Sequence, residues 1–67
     1  MYVNLKAEMT RAGVTKYDLA KVTGKTFRAI QDKLNGVTDF TVPEAIAIQT
    51  TFFPTMKFEY LFTKEAL

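Results

Sequence analysis

The 67-residue sequence contains no cysteine, no histidine, no tryptophan and no serine. Without cysteine there can be no disulfide and no thiolate metal site, and without histidine the commonest metal ligand and general base is missing. Serine and cysteine nucleophiles are absent by the same count. Long apolar runs are scarce too. The longest, Ala45-Ile46-Ala47-Ile48, is far below the roughly 20 residues that span a bilayer, and no basic region follows Met1 as in a signal peptide. A chain this short hides only about 60% of its unfolded surface, and such a core rarely supplies more than about 3–5 kcal/mol. With disulfides, thiolate and imidazole metal sites excluded, regular helical packing or a partner must supply the rest. Hydrophobic residues at 48% and charged residues at 24% fit an ordered, soluble domain rather than a disordered tail. The expectation is one soluble intracellular domain, with no cofactor and no metal.

The net charge is only +2, but it is unevenly spread. Residues 1–36 hold seven Lys or Arg against three Asp or Glu, a balance of +4, whereas residues 37–67 hold two against four, a balance of −2. A basic front half can present a positive face to a polyanion, although solvated surface charge gives the same count.

Turn and cap residues divide the chain into five short helices. The first spans about Val3–Ala12, with Leu5, Met9 and Ala12 on one stripe and Gly13 as its stop. Thr15 and Asp18 form a capping box for the second helix, flanked by Val14 and Leu19 at staple spacing, and this helix ends at Thr23-Gly24. Thr26 caps a third helix, Phe27 to about Leu34, which ends at Asn35-Gly36. Thr41 and Glu44 make a second capping box, with Pro43 in the first turn of a fourth helix running to about Phe52. Because that helix is apolar on most sides, it is expected at the centre of the core. A last helix is expected from Met56 to about Phe62, after Pro54-Thr55.

The second and third helices are separated by three or four residues centred on Gly24, the spacing of a helix-turn-helix. The run Lys16 to Ile30, with Leu19, Ala20, Gly24 and Ile30 at the pattern's key positions, resembles the phage Cro and repressor proteins of the XRE family. Asn35-Gly36, Phe40 to Ala45 and Tyr60-Leu61-Phe62 extend the resemblance from about Leu5 to Phe62. Thr23 and Lys25 depart from it, since the family usually carries aliphatic residues beside the glycine. The resemblance implies an all-α, lambda-repressor-like domain over residues 1–67, with the helix-turn-helix at about 16–35. It also implies a transcriptional regulator in the cytoplasm of a bacterial host.

In that family the third helix enters the DNA major groove. By resemblance, the base-contacting positions are Thr26, Phe27, Arg28, Gln31 and Asp32. Arg28 can grip guanine O6 and N7 with two hydrogen bonds, and Gln31 either reads adenine or stays in solvent or on the backbone. Phe27 either presses on a thymine methyl or packs at the edge of the core with Ile30 and Leu34. Asp32 accepts from cytosine, pairs with Arg28 one turn away, or repels wrong sequences. Lys16, Lys25, Lys33 and Asn35 are the expected phosphate contacts.

The implied partner is double-stranded DNA with a near-palindromic operator, bound by a homodimer. The aromatic end of the chain, Phe53, Met56, Phe58 and Tyr60, is the expected dimer surface. A rival reading keeps the fold but makes it a protein-interaction module, an antirepressor or adaptor that does not bind DNA. Catalysis is the remote third reading, given the residue types that are missing.

Overall fold

A computed structural model describes residues 1–64 and contains five helices and no strand among them. They are α1 (Val3–Ala12), α2 (Lys16–Thr23), α3 (Phe27–Leu34), α4 (Val42–Phe52) and α5 (Phe58–Leu61). The all-α reading holds, with each of the first four helices within a residue of its expected end. No helix among the described residues is long and apolar enough to cross a membrane.

The helices start where they do because threonines at positions 15, 26 and 41 take an extended ψ of 166°, 159° and 162° and turn their hydroxyls back onto the first turn. Thr15 and Thr41 complete reciprocal boxes with Asp18 and Glu44, satisfying amides that would otherwise lack partners. Gly24 ends α2 with a φ of +73°, a conformation that strains other residues. Gly36 sits at φ +82°, and a Cβ there would lie 2.9 Å from the Met1 nitrogen. Glycine is therefore required twice over at that corner.

α2 packs on α3 and α4, while α5 packs on α1 and α4. Leu5, Leu19, Ile30, Leu34, Ile48 and Leu61 are fully buried where these helices meet, each contributing about 2 kcal/mol of apolar burial. Three rings close the open side. Tyr2 meets Phe40 at 5.2 Å and Phe62 at 6.1 Å, and Phe40 meets Phe62 at 5.7 Å, all edge-on. The Tyr2 amide also donates to the Leu34 carbonyl at 3.1 Å, fastening the front of α1 to the end of α3.

Three expectations need correction. α5 begins at Phe58 rather than Met56, because the Met56 amide donates to the Phe53 carbonyl and Gln49 Nε2 donates to the Met56 carbonyl at 3.1 Å. These bonds hold residues 53–56 in a turn. α4 is not wrapped by the core, for Ala45 and Ile48 face inward while Val42 and Ile46 are exposed. Phe53, expected on a dimer surface, is buried at 3% exposure in the core cluster. The core of so small a chain draws in the ring nearest the end of α4.

Candidate nucleic-acid interface

The expected DNA-contacting residues lie on α2, on α3, on the three residues 24–26 that join them, and at Asn35 just after α3. Thr26 Oγ1 accepts from the Ala29 amide at 3.1 Å, so its oxygen serves as a cap. This bond starts α3 abruptly and leaves Phe27 and Arg28 on the first turn. The Arg28 side chain is 82% exposed and its Nε lies 3.4 Å from Asp32 Oδ1. Of the three roles open to Asp32, the structure displays the pairing with Arg28. In solvent this pair is worth well under 1 kcal/mol, so the guanidinium can leave it for a stronger partner. Gln31 is half-buried beside them.

Phe27 does not join the core cluster. Its ring lies 4.5 Å from that of Tyr17, tilted by 33°, and Lys16 Nζ stands 5.8 Å from its centre. Tyr17 itself is 70% exposed. Sequence reasoning passed over Tyr17, although one signal was available: an aromatic residue stands in the first turn of each helix flanking the turn.

The expected phosphate contacts separate into two kinds. Lys16 reaches over Phe27, and Lys25 is half-exposed, 3.7 Å from Glu44 Oε2. Lys33 is different. Its side chain is only 12% exposed, it bonds Glu44 Oε1 at 3.1 Å and the Asp39 carbonyl at 2.9 Å, and it lies over the Phe40 ring. Lys33 is thus a structural cation, and its expected role as a phosphate contact is withdrawn. Asn35 is exposed at the end of α3, its Oδ1 accepting from Lys6 at 3.4 Å.

At the start of α2 the Asp18 carboxylate accepts from the Thr15 amide at 2.8 Å and from its hydroxyl. These bonds hold the Asp18 carboxyl below its ordinary value, so it stays charged at that helix end. The capping box occupies the Thr15 and Asp18 amides, and Lys16 is the cation beside them.

Nearby, a cleft of about 250 Å³ is lined by Lys6, Met9, Thr10, Val14, Thr15, Lys16 and Leu34. It is below the roughly 300–1,000 Å³ of ordinary small-molecule sites. Among the described residues no group of three Asp, Glu, His or Cys is placed to hold a metal ion. No family model, curated protein or solved structure matches the chain.

Proposed function

We propose that this protein is a sequence-specific double-stranded DNA-binding regulator of the Cro or repressor type, built on a lambda-repressor-like fold. It acts without catalysis, with α2 and α3 as its helix-turn-helix and α3 in the major groove. The observation that carries the reading is the first turn of α3. Thr26 caps it from within, Gly24 sets it sharply against α2, and Arg28 projects from it 82% exposed. An exposed guanidinium on a rigid helix start suits the two-point grip on guanine. Lys16 and Lys25 lie on the flanking elements, where a groove-bound helix meets phosphates.

The test is binding to sequences selected from a random DNA library, measured over a range of salt. Lys16 and Lys25 from two protomers make about four phosphate contacts, which corresponds to a log–log salt slope of about −4. Arg28→Ala is expected to cost about 1–3 kcal/mol of binding and to relax preference at one base pair per half-site. Salt-indifferent binding, or an Arg28→Ala variant with unchanged preference, refutes the reading.

The exposed Tyr17 ring and the Asp32 carboxylate favour a second reading, a protein-interaction module on the same fold. Under that reading no sequence is enriched from the library.

A further inference from the structure

We infer that the stacked Tyr17–Phe27 pair is a recognition site for a pyrimidine C5-methyl group, an inference that rests on the DNA reading above. The two rings, 4.5 Å apart, lie outside the core cluster. Tyr17 leaves 70% of its surface in water. A core short of apolar mass has taken in Phe53 and packed Tyr2, Phe40 and Phe62 together, yet it leaves this pair outside. Stacking spares the rings some water contact but leaves Phe27 only half-buried and Tyr17 exposed.

The major groove presents hydrogen-bonding edges and one apolar group, the methyl on C5 of thymine. Methylated cytosine places the same group at the same corner of the base. A phenylalanine ring has no donor or acceptor, so against a polar base edge it would strip water without replacing its bonds. Against a methyl it loses nothing. Phe27 stands in the first turn of α3, next to Arg28, and the Lys16 ammonium 5.8 Å from its centre brings positive charge for the neighbouring phosphate.

Tyr17 acts as a positioning residue. A lone exposed phenylalanine samples several rotamers, whereas a ring stacked at this distance and a 33° tilt is held in one. The tyrosine hydroxyl has no part in this, so Tyr17→Phe keeps the function and Tyr17→Ala loses it.

The experiment measures affinity by fluorescence anisotropy on the selected operator, remade with uracil for each thymine and with 5-methylcytosine for each cytosine. At one position per half-site, the methyl is expected to tighten binding about fourfold, the factor for burying one methyl-sized group. Whichever methylated pair binds more tightly, thymine–adenine or 5-methylcytosine–guanine, identifies the natural source of the methyl. Tyr17→Phe keeps the methyl effect, while Tyr17→Ala and Phe27→Ala reduce it to a ratio of one with helix content unchanged. A methyl ratio of one at every position for the unaltered protein overturns the inference and leaves DNA binding standing. Absence of binding to any DNA overturns both. A methyl effect that survives both alanine variants belongs to another residue and also overturns the inference.

Discussion

Glu44 links the candidate interface to the core. It is buried, its Oε1 accepts from the Thr41 amide at 2.9 Å and pairs with Lys33 at 3.1 Å, and its Oε2 has no hydrogen-bond partner among the described residues. Burial pushes its pKa up, but the Thr41 amide and the Lys33 ammonium together outweigh that and hold it below the ordinary 4.5. The unfolded chain therefore takes up this proton at a higher pH than the folded one. The stability contributed by Glu44 is complete above about pH 4.5 and is lost as pH falls toward the lower folded value. Lys33→Ala removes the closer cation and leaves the buried carboxylate with Lys25 alone, 3.7 Å from Oε2, costing about 1–3 kcal/mol at neutral pH. It also lifts the Glu44 pKa, so the acid loss of stability moves to higher pH. Urea midpoints taken across pH for the two proteins check both effects, and identical acid profiles would contradict the account. Lys16 makes no ion pair with a carboxylate among the described residues, and Lys16→Ala serves as the control, with both quantities unchanged.

Single hydrogen bonds decide the elements. α2 and α4 each open on a reciprocal box, but α3 has Ala29 where a carboxylate would stand, and its start rests on the one bond from Thr26. Thr26→Ala is expected to cost about 1 kcal/mol of fold stability, measured by urea unfolding without DNA. The same substitution at an uncapped exposed threonine such as Thr51 costs much less. An equal loss at both positions would show that the cap does not hold α3. The caps were legible in the sequence because each joins residues three apart. The start of α5 was not, since the turn at residues 53–56 depends on Gln49 reaching back from α4 to two carbonyls.

On the scale of the molecule, about 28 × 26 × 22 Å, one copy of α3 would cover only a few base pairs under the proposed DNA-binding function. A single module of this type buries about 600–1,000 Å² on DNA, near the lower limit for specificity. Two copies on half-sites centred about 34–36 Å apart are therefore expected. Of the residues expected to join them, Phe53 is buried, Met56 and Phe58 are half-buried, and Tyr60 remains 41% exposed with its hydroxyl donating to Glu8 at 2.6 Å. The smaller remaining patch makes a dimer that assembles on DNA the expectation. Sedimentation should show two protomers on a full site and one on a half-site. A single protomer on a saturated full site would exclude the dimer.

The sequence by itself determined what depends on near neighbours: the threonine-capped starts of α2, α3 and α4, the turn at Gly24, and the burial of Leu5 and Met9 on α1, though not of Ala12, the third member of their stripe. These follow from hydrogen bonds and side-chain periodicity within a turn or two, so composition and spacing carry them. The tertiary structure alone decided which of several equivalent residues does which task. Lys25 and Lys33 look alike in the sequence, yet the fold lays one against Glu44 with half its side chain in water and the other beside the same carboxylate with almost none. Phe27 and Phe53 are the same residue type; one is stacked on Tyr17 outside the core and the other is sealed within it. The free energy of a ring or an ammonium depends on what residues distant in the chain bring against it, and that is set only when the helices pack.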